Sequence, residues 1–322
     1  LALVPSAAVD DPPSDMDFER KPGYRVISIK EDVLRDSRLV SVRSLPAFAP
    51  IAFRRVTVAD VIGAFAYRPR IRKDRRPSSQ RSIAGIMERN MVKRILSIKQ
   101  LSVLLGGQSI IKGLNLEVLK GDNLAVIGPN GSGKTVLLKT LLGFFPFAGR
   151  IDWAPGTKVG YVPQKVDVDL HLPLTLENLL QAKAQVMAIS RGEIKKVLDI
   201  VNLSVDILKT PVGHLSGGQF QKALICFSLL GGPDVLLFDE PTASLDQLAE
   251  EHIYELIDEL QKKQEITVIL VSHDLNILYQ YATKVLCLNR ERFCFGRPQE
   301  LNPDTLETVY GSPLKHYQHE HH

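Results

Sequence analysis

The stretch GPNGSGKT, Gly128 to Thr135, constrains this chain more than any other. It has the form G-x-x-x-x-G-K-T, follows the apolar run Leu124–Ile127 and precedes a helical pattern that begins at Lys134. In that strand–loop–helix setting Gly128, Gly131 and Gly133 let the backbone curl around an anion, so that the loop, which turns at Pro129, points the N–H groups of Asn130, Ser132 and the glycines inward. The helix start, Lys134-Thr135-Val136, adds the positive end of its dipole. Lys134 is expected to reach β- and γ-phosphates, and Thr135 to ligate Mg²⁺. A nucleoside triphosphate site is expected, with Mg²⁺ beside the phosphates.

The surrounding pattern supplies the sheet. ILSIKQLSVLL and IIKGLNLEVL read as strands with partial alternation. DVLLFDEP and ITVILVSH are continuous apolar runs, as expected of parallel strands buried on both faces. Between them, Ile253, Leu256, Ile257 and Leu260 recur at helical spacing. SRGEIKKVLDIV predicts a helix capped by a Ser190–Glu193 box, with Ile194, Val197, Leu198 and Val201 on one face. From about Pro173 to Leu215 the pattern is helical and contains no clear strand, which predicts a separate helical lobe. Strands alternating with helices give an α/β fold with a mainly parallel core sheet.

The formal net charge of +4 is unevenly spread. Residues 1–86 hold 16 basic and 10 acidic side chains, with arginine outnumbering lysine 13 to 3. Residues 87–322 hold 24 basic and 26 acidic, with lysine outnumbering arginine 17 to 7. The first segment has no sustained period and is interrupted by Pro5, Pro12, Pro13, Pro22, Pro46, Pro50, Pro69 and Pro77. It is expected to be a disordered or mistranslated extension, the native chain starting at Met87 or Met91; the rival expectation is an arm that touches acidic lipid or RNA. No nucleic-acid partner is expected for the rest. Cys226, Cys287 and Cys294 are expected to be separate buried thiols in a reducing compartment. No apolar run reaches the eighteen or so residues of a membrane-spanning helix.

Three further residues are expected at the phosphates. Asp239 ends the run Val235–Phe238 and so reaches the crevice at the carboxyl edge of the sheet, where it can hold Mg²⁺. Glu240 beside it can orient and deprotonate an attacking water. His273 ends the apolar strand Ile266–Ser272 at the same edge and is expected at the γ-phosphate.

Taken in order, GPNGSGKT, YVPQ, LSGGQ, VLLFDEP, SLD and SH resemble the ATP-binding subunits of ABC transporters. The resemblance covers residues 95 to about 310. It implies a P-loop cassette over 92–310, with an N-terminal antiparallel β subdomain and an inserted helical subdomain at about 170–232. It also implies a head-to-tail homodimer, in which Ser216, Gly217, Gly218 and Gln219 of one copy cover the ATP held by the phosphate loop of the other. Gln164 would be the residue that joins Mg²⁺ and water to the helical lobe, and Asp246 would lie at the dimer interface. Leu105 stands where the family usually stacks an aromatic ring on adenine. Lys222 and Phe227 stand where arginines are common.

GYVPQK, VLCLNRERFCFGRP and VYGSPL further resemble ATPases of zinc and manganese uptake systems. That resemblance implies ATP hydrolysis driving metal uptake through a separate membrane permease, with a periplasmic or surface metal-binding protein upstream. The cassette would then sit at the cytoplasmic face of the membrane. Another small solute such as an iron chelate, or a non-transport ATPase on ribosomes or DNA, are the alternatives. The closing KHYQHEHH, residues 311–322 being read as a flexible tail, offers His316, His319, His321 and His322 as ligands for Zn²⁺.

Overall fold

The computed structural model describes residues 93–166, 173–243, 245–273 and 279–301. The expectations for residues 1–86 and for the tail histidines lie outside these residues.

Two sheets carry the fold. β1 (Arg94–Leu105), β2 (Gln108–Leu119) and β4 (Ala148–Trp153) form an antiparallel sheet in the order β2-β1-β4. The β1–β2 connection is Gly106-Gly107, with φ of 56° and 76°, the left-handed pair that a two-residue hairpin turn requires. The second sheet has the order β5-β6-β7-β3-β8-β9. It comprises β3 (Asn123–Ile127), β5 (Val159–Val162), β6 (Val235–Asp239), β7 (Thr267–Val271), β8 (Lys284–Asn289) and β9 (Arg292–Gly296). All neighbours are parallel except β8 and β9. Every residue of β3, β5, β6 and β7 is buried, which is why these segments are apolar runs rather than alternating ones. Each fully buried leucine or phenylalanine there contributes about 1.5–3 kcal/mol.

α1 (Lys134–Leu141) leaves β3 through the phosphate loop. α5 (Gln247–Gln264) buries Ile253, Leu256, Ile257 and Leu260, as their spacing predicts. Between β5 and β6 come α2 (Leu176–Val186), α3 (Gly192–Ile200) and α4 (Gly217–Leu229), with short 3₁₀ turns at Val205–Lys209 and Val212–His214. Ile194, Val197, Leu198 and Val201 are buried, as expected. The cap differs. Arg191 precedes α3 without a side-chain cap, Ser190 Oγ accepts from Gly192 N at 3.3 Å, and Glu193 pairs with Lys196 at 2.6 Å. The helix starts too late for Ser190 to occupy the cap position. Capping boxes form instead at α2, between Thr175 and Asn178, and at α4, between Ser216 and Gln219.

Phe227, where the family resemblance expects arginine, is 1% exposed in α4. The cation there comes from α2: Lys183 Nζ lies 4.7 Å from the Phe227 ring centroid and donates to the Phe227 carbonyl. Burial pushes the Lys183 pKa down to about 7.

The cysteines also depart from expectation. Only Cys226 is a free, buried thiol among the described residues. Cys287 and Cys294 are direct cross-strand partners on β8 and β9, with Cα atoms 4.8 Å apart, and are joined as a disulfide. The reason is register: the strands fold back at Arg290-Glu291, so Asn289 pairs with Arg292 and the positions two further out meet.

Candidate functional site

The phosphate loop is clamped between β8 and β2. Gly128 has φ 152°, and a Cβ there would lie 2.1 Å from the Leu288 carbonyl oxygen and 2.9 Å from Ser132 Oγ. A Cβ at Gly133 would lie 2.9 Å from Ile110 Cγ2. Both contacts explain why the chain has no side chain at these points. Ser132 N donates to the Pro129 carbonyl at 3.2 Å, closing the turn over Asn130 and Gly131. Ser132 Oγ is buried and has no hydrogen-bond partner among the described residues. A buried, unpartnered hydroxyl in a glycine-rich loop at a helix N-terminus fits a phosphate oxygen.

Lys134 is 5% exposed, and its ammonium donates to the carbonyls of Gly128 at 2.8 Å and Pro129 at 3.2 Å. Burial lowers its pKa, and the nearby charges of Glu240 and Asp239 oppose that shift. Thr135 Oγ1 donates to Asp239 Oδ1 at 2.8 Å. The other oxygen of Asp239, Oδ2, accepts from the Tyr161 hydroxyl at 3.0 Å. Asp239 is 2% exposed, and burial raises its pKa despite the hydrogen bonds from Thr135 and Tyr161 and the charge of Lys139. Burial first, and then the charge of Asp239, raise the pKa of Tyr161, so the phenol remains a donor.

Glu240 has φ 48°, a conformation uncommon for a residue with a side chain and costing roughly 1–3 kcal/mol. Its N–H donates to the Val271 carbonyl at 3.1 Å, which locks it to β7. Its carboxylate accepts from Gln164 Nε2 at 2.6 Å. His273 follows β7, which ends at Val271 rather than Ser272, and is exposed. Ser272 N donates to the Val126 carbonyl at 3.3 Å, so the residue before His273 is tied to the strand that feeds the phosphate loop. Lys134, Thr135, Gln164, Asp239 and Glu240 are thus brought together at one sheet edge. Tyr161, within YVPQ, belongs with them through its bond to Asp239, a contact that no local sequence signal marks.

The second glycine pair lies on α4. Ser216 is the N-cap: its Oγ accepts from Gln219 N at 3.3 Å, while Gln219 Oε1 accepts from Ser216 N at 3.0 Å. Gly217 and Gly218 form the first turn, and Ser216 and Gly217 are exposed. Asp246 caps α5, its Oδ1 accepting from Ala249 N at 2.9 Å. Among the described residues, no hydrogen bond joins Ser216–Gln219 or Asp246 to the phosphate-loop group. Leu105, at the end of β1, is half-buried against the core and pairs with Gln108. Past that turn an open pocket of about 520 Å³ is lined by Gln108, Ser109, Arg290 and Glu291. Lys112 holds its rim through Glu291 at 2.8 Å.

The ABC transporter family profile matches residues 111–243, from β2 to just past Glu240. The zinc import ATP-binding protein ZnuC of Rickettsia conorii is 35% identical over 232 residues, 72% of this chain and 98% of that protein. This chain belongs to the ABC transporter ATP-binding family. It is an ABC ATPase. The ZnuC protein of Jannaschia sp. strain CCS1 is 37% identical over 205 residues, covering 63% of this chain and 83% of that one. A transporter of the metal-chelate ABC type, solved in an inward-facing conformation, superposes with a TM-score of 0.63 at 28% identity, over 69% of this ABC ATPase and 90% of that chain. The described residues contain no helix long and apolar enough to cross a membrane.

Proposed function

We propose that this chain is the ATP-hydrolysing subunit of an importer for a divalent metal ion, zinc first and manganese next, acting on a separate membrane permease. The observation that carries the hydrolytic part is the pairing of a phosphate loop with two adjacent carboxylates, Asp239 and Glu240, each held by a named donor. Zinc is supported by the similarity to proteins named for zinc import, one of them matched over 98% of its length. An iron chelate or another metal complex is the second reading, favoured by the similarity to a transporter of the metal-chelate type.

In this reading ATP binding draws Lys134 away from the Gly128 and Pro129 carbonyls and onto the β- and γ-phosphates. The loop from Gly128 to Gly133, with Pro129, Asn130 and Ser132, wraps the β-phosphate, and Val136 follows in the first turn of α1. The hydroxyl of Thr135, the carboxylate of Asp239 and the amide of Gln164 are oxygen donors suited to Mg²⁺. Bound there, Mg²⁺ would neutralise charge on the phosphates. Glu240 deprotonates and aims the attacking water, and His273 orients the γ-phosphate. Ser216, Gly217, Gly218 and Gln219 of a second copy close the site from the other side, and Asp246 lies at that junction. The helical lobe, about residues 170–232, meets the permease. The subunit then sits peripherally at the cytoplasmic face of the membrane, and a periplasmic or surface metal-binding protein delivers cargo to the permease.

Zinc-limited growth and radioactive zinc uptake test the cargo. Cells whose only copy carries Glu240→Gln are expected to lose high-affinity zinc uptake. Intact zinc uptake with lost manganese uptake would make manganese the cargo, and intact zinc and manganese uptake with lost iron-chelate uptake would move the function to the second reading.

Two smaller effects follow. Leu105 offers adenine an aliphatic contact, so Leu105→Tyr is expected to tighten ATP binding by the 0.5–1.5 kcal/mol typical of aromatic stacking, about 2- to 12-fold. Titration calorimetry measures this, and unchanged affinity would mean that the base does not lie at Leu105. The His316, His319, His321 and His322 tail is expected to bind Zn²⁺ weakly. Calorimetric heats that are identical with and without residues 313–322 would remove the tail from any role in metal binding.

A further inference from the structure

Asp239 is a buried carboxylate with two oxygens and two donors. Thr135 serves Oδ1 at 2.8 Å, and the Tyr161 hydroxyl serves Oδ2 at 3.0 Å. Thr135 sits on the first turn of α1, and its hydroxyl and the Asp239 carboxylate are the oxygens proposed above for the cation. Tyr161 approaches from within the sheet, on β5, and takes the other oxygen. It is 3% exposed on β5, which pairs in parallel with β6, Tyr161 against Leu237 and Val162 against Phe238. Its carbonyl accepts from Ser228 Oγ of α4 at 2.9 Å, which pins the residue from a second element.

Three residues on, the same segment carries Gln164. Unlike Tyr161 it is exposed and lies beyond the strand, and it holds Glu240 at 2.6 Å. One short segment therefore contacts both acids at the end of β6. The contact to Glu240 comes from an exposed side chain, and the contact to Asp239 comes from a buried one.

We propose that Tyr161 is a positioning residue that fixes the Asp239 carboxylate for the divalent ion accompanying the nucleotide. The inference rests on the reading of Asp239 as a metal-binding carboxylate. A phenol donating to Oδ2 stops the carboxylate turning about its Cβ–Cγ bond, so Oδ1 keeps facing Thr135 and the phosphates. Because Tyr161 is held by the ladder and by Ser228, this aim does not depend on the contact between Gln164 and Glu240.

Removing only the hydroxyl tests the idea, since Tyr161→Phe keeps the buried ring and its packing. Electron paramagnetic resonance of free Mn²⁺ gives the affinity of the full chain for Mn²⁺ in the presence of ADP. That affinity is expected to fall about tenfold, the lower end of what outer-sphere partners of metal ligands contribute. The Mg²⁺ concentration for half-maximal hydrolysis should rise to match. ADP binding in EDTA should not change. Unchanged Mn²⁺ affinity overturns the proposal, whether or not the melting temperature falls. So does a fall in turnover with the Mg²⁺ requirement unmoved. Asp239→Asn separates the two levels. If it keeps full Mn²⁺ affinity, the metal reading of Asp239 fails; if it loses Mn²⁺ while Tyr161→Phe does not, only the role of Tyr161 fails.

Discussion

Glu240→Gln is expected to lower ATP turnover by about 10²- to 10⁴-fold, the range a positioned general base contributes, while leaving ATP affinity nearly unchanged. The substitution is isosteric. The amide oxygen of the new glutamine can still accept from Gln164 Nε2, and the backbone bond to Val271 is untouched. The left-handed conformation at φ 48° is as demanding for glutamine as for glutamate, so little is gained or lost in folding. What disappears is the carboxylate oxygen proposed above as the base. Lys134 should still bind phosphate, though with one counter-charge fewer beside it, because Glu240 and Asp239 both raise its pKa. Phosphate release under single-turnover conditions, with ATP affinity from calorimetry, measures both halves of the expectation. Turnover within tenfold of the original would shift the base to another residue at the same edge, His273 being the nearest in the strand order. Lost ATP affinity would instead mean that the carboxylate mainly serves to shape the site.

The legibility of this fold in its sequence follows burial. β6 and β7 are read directly, because strands covered on both faces must be apolar throughout and cannot be mistaken for exposed ones. The phosphate loop is read for a different reason: close contacts at Gly128 and Gly133 exclude other residues. The start of α3 is misread because Ser-x-x-Glu satisfies a capping pattern wherever it occurs, whereas the backbone decides which residue precedes the first helical N–H. The pairing of Cys287 with Cys294 depends on where a turn falls, and one residue of slip would send them to different partners. Tyr161 is missed because its role exists only through its neighbour strand. Its strand is only four residues long, too short to show a period, and nothing local to YVPQ says that the phenol ends on a carboxylate seventy-eight residues away. Ser216 and Asp246 carry a double meaning. Both are helix N-caps within this chain, a role readable from residue type, while the roles implied by family resemblance need a second chain.

Ser216→Arg is expected to lower turnover by about 10²-fold or more, the effect of losing a pre-aimed donor at a developing oxyanion, and to do so without weakening ATP binding to the isolated chain. The expectation follows from where the hydrogen bonds run. Ser216 and Gln219 satisfy one another, and no bond among the described residues links them to Lys134, Thr135, Asp239 or Glu240. Within one chain Ser216 is therefore a helix cap and nothing more. Its loss would cost about 1 kcal/mol of stability and leave the phosphate group intact. If the exposed start of α4 instead closes over the nucleotide of a second copy, an arginine there blocks the approach. Hydrolysis should then fall far more than stability does. Turnover of the unmodified protein should also rise faster than linearly with protein concentration, as two half-sites must meet before either is complete. The two measurements separate a cap from a catalytic partner. A Ser216→Arg protein that melts a few degrees lower but hydrolyses ATP at the original rate, with turnover per chain independent of concentration, would confine catalysis to the single chain. A folded protein that binds ATP at full affinity and no longer turns it over would mean that the second glycine pair acts on the neighbour's phosphate.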